Sequence, residues 1–150
     1  MILLSRRSQL AIAAVVDIAL HARPTPVAAK ALAGRHNLPP RHLETLLQAL
    51  VRVGILKGVR GPRGGYELAR ERRRITAGEI VRAAMVDDLE DGVAPLPESK
   101  LVEFVVQPLV ERAGEKFLAD LDALTVDDLC RQAAEKSIFD ETSARADFTI

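Results

Sequence analysis

Sulphur and aromatic side chains are scarce in this chain of 150 residues, which has one cysteine, no tryptophan and 3% aromatic residues. The single cysteine, Cys130, excludes an intrachain disulfide and a metal site built from several thiolates. We interpret it as a small buried hydrophobic residue rather than a redox sensor. With few aromatic rings, Leu, Val, Ile and Ala must fill the core, and the 48% hydrophobic content is enough for a sizeable one.

Long apolar runs are missing as well. Charged residues interrupt every apolar stretch well before the roughly 20 residues that a membrane-spanning helix needs. No secretory signal pattern is visible either. We therefore expect a cytoplasmic protein that has no membrane partner.

The net charge of zero conceals two halves of opposite charge. Residues 1–82 contain 15 Lys and Arg against 5 Asp and Glu, whereas residues 83–150 contain 6 against 16. This split favours a basic module that meets a polyanion, followed by an acidic module with another task. A chance imbalance between two solvated surfaces is the alternative.

The N-terminal part predicts two helices. Ser5 is a suitable N-cap for a helix that ends near Ala22 and is apolar on nearly all sides apart from Asp17. Such a helix could serve both the core and a subunit contact. A shorter helix is predicted for residues 27–35, and Asn37 can adopt the left-handed conformation that ends it.

A third helix is predicted for residues 40–53, because leucines recur at helical spacing on one of its faces. At about 100° per residue, the opposite face is polar. That face is centred on Arg41, Thr45, Gln48 and Arg52, with His42 and Glu44 at its borders.

A β-hairpin is predicted for residues 57–68, where two short extended runs flank a tip of Gly, Pro and Arg. Gly61, Gly64 and Gly65 permit backbone angles that other residues avoid. The hairpin would project Arg60 and Arg63 outward on a compact loop.

Helix, short helix, tight turn, amphipathic helix and hairpin follow one another in the order of a winged helix-turn-helix. The third helix would enter the DNA major groove, where Arg and Gln can bond base edges. The hairpin would lie along the backbone or in the adjacent minor groove. Four arginines after the hairpin extend the basic surface, and we expect at least one to contact phosphate; they are Arg70, Arg72, Arg73 and Arg74.

The acidic half predicts further helices. Thr76 and Glu79 have the spacing of a capping box, which starts a helix that reaches about Val86. A long periodic apolar segment begins at Glu98, and Pro108 permits either a kink or two abutting helices. A second copy of this segment, or helix 1 of the same chain, could cover its apolar stripe.

The predicted fold class is mainly α with a small β-hairpin: a winged helix-turn-helix domain plus a long C-terminal dimerisation helix. Residues 1–86 are assigned to the DNA-binding domain and residues 87–97 to an acidic loop that contains Pro and Gly. Residues 98–150 are assigned to a helical dimerisation region, whose last residues could form a flexible tail.

Several motifs resemble the Rrf2 family of bacterial winged-helix transcription regulators. Residues 59–69 match the wing signature V-R-G-x-x-G-G-Y-x-L-A almost residue for residue. Residues 39–44 resemble the start of the family's recognition helix, and residues 50–56 resemble its L-x-x-A-G-L-V exit, with Val53 in place of Ala. The resemblance is strong over residues 1–86 and weak over residues 98–130.

This resemblance implies a homodimer that binds double-stranded DNA at a partly palindromic operator, as a regulator that is expected to be a repressor. The DNA-facing residues, including Arg52 from the helical wheel, would be Arg41, His42, Thr45, Gln48, Arg52, Arg60 and Arg63. Family members that bind an iron–sulphur cluster place three cysteines before the dimer helix, whereas residues 87–100 contain none. We therefore expect no cofactor and no metal, and the sequence does not identify an effector.

Two other classes of function are less consistent with the sequence. A winged helix can act as a protein-interaction module without sequence-specific DNA binding. An enzyme is disfavoured, because the Gly-rich tip lacks the strand–loop–helix context and the Gly-Lys-Ser/Thr ending of a phosphate-binding loop.

Overall fold

The computed structural model describes residues 4–90 and 98–136, including six α-helices and one antiparallel hairpin. The mainly helical winged fold predicted from the sequence is confirmed. The C-terminal tail and residues 91–97 of the predicted acidic loop lie outside the described ranges. The elements are α1 Arg6–His21, α2 Ala29–His36, α3 Pro40–Arg52, β1 Leu56–Val59, β2 Gly65–Leu68, α4 Ala77–Glu90, α5 Gln107–Asp122 and α6 Val126–Glu135.

Helix α1 lies at the centre of the fold. The side chain of Ser5 caps it by accepting a hydrogen bond from the backbone N–H of Ser8 at 3.1 Å, as predicted. Its middle turns bury small and β-branched side chains, which suits close contact with α4 and α6. None of the helices in the described ranges is long and apolar enough to cross a membrane.

Helix α2 begins two residues later than predicted. Val27 is extended rather than helical, since its N–H and C=O exchange hydrogen bonds of 2.9 and 2.8 Å with the backbone of Tyr66. Pairing with a distant strand overrides the local helix signal here. The predicted end is confirmed, because Asn37 adopts the left-handed conformation with a φ of 55°.

Helix α4 opens with the predicted capping box. The Thr76 N–H donates to the Glu79 carboxylate at 3.0 Å, and the Glu79 N–H donates to the Thr76 hydroxyl at 3.2 Å. The helix continues to Glu90, four residues beyond the predicted end at Val86. Residues 87–90 include neither Gly nor Pro, so nothing in their backbone chemistry stops the helix.

The long helix of the acidic half is continuous through Pro108. A π-helical turn, Val102–Val106, leads directly into α5, and the N–H of Gln107 bonds to the carbonyl of Val102. Proline lacks the N–H for the α-helical bond and its ring collides with the carbonyl four residues earlier, so a local widening relieves both problems.

Helix α6 returns to the winged domain. Val126 and Cys130 are buried in the same core as α1, which agrees with the interpretation of Cys130 as a buried hydrophobic residue. The backbone of Val126 donates to Ile75 at 2.8 Å, and that of Ala77 donates to Leu124 at 2.8 Å. Helix α6 belongs to the acidic half of the sequence, but it is thus part of the core of the basic half.

Candidate nucleic-acid interface

Helix α3 has one buried face and one exposed polar face. Leu43, Leu46, Leu47 and Leu50 have no solvent exposure, and they fix the rotation of the helix about its axis. The predicted DNA-facing side chains of this helix are all exposed: Arg41, His42, Thr45, Gln48 and Arg52. The helix therefore presents cations, an imidazole, a hydroxyl and an amide together to solvent.

The base of the hairpin is joined to helix α3. The amide nitrogen Nε2 of Gln48 donates to the hydroxyl of Tyr66, at 3.2 Å. Tyr66 lies in β2, directly opposite Gly58 of β1. The exposed face of α3 and the hairpin thus form one continuous surface.

The tip of the wing holds Arg60 and Arg63, both exposed. Gly61 has a φ of +117°, a backbone angle that favours glycine, as predicted. Gly65 needs to be glycine for another reason, since an added Cβ would collide with the backbone of Val27, and a Cβ at Gly64 would collide with that of Val59. Neither residue has a positive φ, so the special backbone angles expected for Gly64 and Gly65 are not found, and close packing explains these glycines instead.

Three of the four arginines after the wing have partners within the chain: Arg70, Arg72 and Arg73. Arg70 donates to the backbone carbonyls of Gly54 at 3.3 Å and Arg74 at 3.2 Å, and to the Glu79 carboxylate at 3.2 Å. These bonds hold the end of α3 against the start of α4. Arg70 therefore has a structural role that the sequence pattern did not reveal.

Asp127 at the start of α6 faces Arg72 and Arg73 of this turn, and Arg131 of its own helix. Its carboxylate is 2.8 Å from the Arg72 Nε, 3.6 Å from the Arg131 Nε and 3.9 Å from the Arg73 Nε. Part of the basic surface is thus neutralised by the acidic half of the same chain. The predicted phosphate contact by this group remains a prediction.

A buried carboxylate joins α1 to α2. Asp17 is 1% exposed and accepts hydrogen bonds from Arg35, through Nη2 at 2.6 Å and Nε at 2.9 Å. His36 Nε2 lies 2.9 Å away and His21 Nδ1 lies 3.1 Å away. Burial alone would raise the pKa of Asp17, but Arg35 and the histidines outweigh it and lower that pKa.

The described residues contain no group of three or more His, Cys, Asp or Glu side chains that could hold a metal ion. Cys130 is buried in the core, and His21 and His36 are both bonded to Asp17. The third histidine, His42, is exposed on α3.

The fold and the surface of α3 and the hairpin define a winged helix-turn-helix transcription regulator. The chain belongs to the Rrf2 family, whose model, described as an iron-dependent transcriptional regulator, matches residues 4–132. Proteins of this family regulate transcription by binding DNA and are not enzymes, and this chain is likewise a DNA-binding transcriptional regulator.

Relatives and solved structures agree with this assignment. The chain is 29% identical to the HTH-type transcriptional regulator CymR of Bacillus subtilis over 126 residues, 84% of this chain and 88% of CymR. It is 27% identical to protein rrf2 of Nitratidesulfovibrio vulgaris over 135 residues, 87% of this chain and 89% of that protein. The structure of T. potens IscR is similar, with a TM-score of 0.69, 31% identity and 90% of each chain covered.

The residues of this chain do not fit an iron–sulphur cluster, despite the iron dependence in the family's description. Such clusters are held by several cysteine thiolates. The whole sequence has one cysteine, and Cys130 lies in the hydrophobic core, where burial raises the pKa of its thiol and disfavours the thiolate that a metal needs.

Proposed function

We propose that this protein is a repressor that binds a partly palindromic operator as a homodimer. Helix α3 enters the major groove, and the exposed residues Arg41, His42, Thr45, Gln48 and Arg52 face the DNA. Arg60 and Arg63 of the wing contact the backbone or the adjacent minor groove.

The observation that carries this proposal is the division of α3 into two faces. Four fully buried leucines leave the helix no freedom to rotate, so its polar face must point away from the core. The same surface continues into a hairpin with two exposed arginines, which suits a long anionic partner.

The homodimer is supported by the helix that begins near Lys100. Its large apolar side chains are exposed in the described chain, with Phe104 at 68%, Leu109 at 62% and Val110 at 61%. A contiguous apolar surface of this kind marks an interaction site. We assign it to the same helix of a second copy, with residues 98–150 as the dimerisation region and residues 1–86 as the DNA-binding domain.

The test is selection of binding sites from random duplex DNA by the full-length protein. We expect two inverted half-sites whose centres are about one or two helical turns apart, because a two-fold dimer reads each half-site with one α3. In the same assay, Arg63→Ala should weaken binding to all sequences and reduce the slope of log K against log salt by about 0.9 for each phosphate that it no longer neutralises.

Two outcomes would contradict the proposal. If the selection at low salt enriches no DNA sequence, the alternative function, a protein-interaction module, would be favoured. Enrichment of a single half-site by a monomer would leave DNA binding intact but exclude the dimer and the palindrome.

A further inference from the structure

Tyr66 is held at several points beside helix α3. Its backbone exchanges two hydrogen bonds with Val27, at 2.8 and 2.9 Å, and pairs with Gly58 in the hairpin. Its half-buried ring packs against the hydrophobic core. The hydroxyl is therefore a fixed point at the base of the wing.

Gln48 is, by contrast, an exposed side chain with several rotatable bonds. Ordering such a side chain on DNA binding costs conformational entropy, because its rotamer freedom is lost. Its Nε2 already donates to the Tyr66 hydroxyl at 3.2 Å before any DNA is present. Part of the ordering that base recognition needs is thus complete in the free protein.

The geometry points to a role for this bond: we propose that Tyr66 is a positioning residue that prepares Gln48 to read adenine. A glutamine amide has two N–H donors and one carbonyl acceptor. With one N–H held by Tyr66, the other N–H and Oε1 remain for a partner. Adenine offers the matching pair in the major groove, an N7 acceptor and an N6–H donor. This inference rests on the proposed function.

The experiment compares four proteins on the selected operator: wild type, Tyr66→Phe, Gln48→Ala and the double variant. Each operator position is varied through all four base pairs, and affinity is measured by fluorescence anisotropy. Tyr66→Phe should lower the preference for adenine at one position per half-site about 3- to 10-fold, the contribution of one hydrogen bond. The double variant should keep the same preference among base pairs as Gln48→Ala alone, because Tyr66 acts only through Gln48.

A matched control separates positioning from general loss of binding. Arg63→Ala removes an exposed cation of the wing. It should weaken binding to all sequences equally and leave the preference for adenine unchanged. In the free protein, NMR relaxation of the Gln48 side-chain amide should show greater mobility in Tyr66→Phe than in wild type. Unfolding curves establish whether Tyr66→Phe keeps the fold, since phenylalanine retains the packed ring.

The possible failures are distinct. If wild type selects no DNA sequence, the proposed function fails and this inference fails with it. If wild type selects a sequence and Tyr66→Phe keeps full discrimination, or loses affinity equally on all sequences, only the role of Tyr66 is wrong. A preference for guanine at the base pair that Gln48 contacts would show that the amide has the opposite orientation. That result would overturn the assignment to adenine.

Discussion

Asp17 joins the first two helices of the winged domain through its side chain. Its buried carboxylate bonds to Arg35 and His36 at the end of α2, so α1 and α2 are joined by a charge that is shielded from water. The sequence indicated only that an acid interrupts an apolar helix, because its partners lie 18 and 19 residues away. Local patterns carry no information about such a pairing.

Asp17→Asn should destabilise the protein by about 3 kcal/mol at pH 7, since it leaves Arg35 without its buried counter-charge. Urea unfolding measures this difference. Glu44→Gln makes the same chemical change at an exposed position and should alter stability by no more than about 0.5 kcal/mol.

The pH dependence has a definite sign. Because the folded-state pKa of Asp17 is lowered, its stabilisation is present above the unfolded value of about 4 and is lost as the pH falls through the folded value. The difference in the free energy of unfolding between wild type and Asp17→Asn should therefore become smaller below about pH 4. Equal stability of the two proteins at pH 7 would refute the account of this carboxylate.

At the scale of elements, the wing is positioned by a close backbone contact. The hairpin and its turn were predictable, because Gly, Pro and Arg separate two extended runs. The docking of β2 on Val27 was not, because the local sequence favours a helix start there. Tertiary hydrogen bonds decided the structure of residues that propensity alone would assign to α2.

Gly65→Ala tests this contact, because its Cβ would collide with the Val27 carbonyl and the backbone must move. We expect a loss of about 1–3 kcal/mol in the free energy of unfolding and weaker DNA binding as the wing shifts. Gly58→Ala, on the facing strand, meets no atom within 4 Å and should be neutral or slightly stabilising. Similar effects of the two substitutions would show that β2 does not depend on this close approach.

At the scale of the whole molecule, the opposite charges of the two halves partly neutralise each other inside the chain. Asp122 at the end of α5 forms a two-point ion pair with Arg82, at 2.6 and 2.9 Å, and Asp127 faces Arg72. The composition of the two halves revealed the charge imbalance, and the hydrophobic periodicity revealed the long apolar stripe. Neither could show that α6 packs on α1. The Arg82–Asp122 pair joins the end of α5 to α4, and the Arg72–Asp127 pair joins α6 to the turn after the hairpin, whereas the apolar stripe of α5 stays exposed.

The most direct test of the central claim is operator affinity measured together with oligomeric state. Wild type should sediment at twice its 16.3 kDa chain mass and bind a full palindrome far more tightly than a half-site. Leu109→Glu, which places a charge in the exposed stripe, should give a folded monomer that binds both duplexes with similar weak affinity. Glu111→Lys, about 200° around the helix from Leu109, should behave as wild type. A Leu109→Glu protein that remains dimeric and keeps full operator affinity would contradict the account.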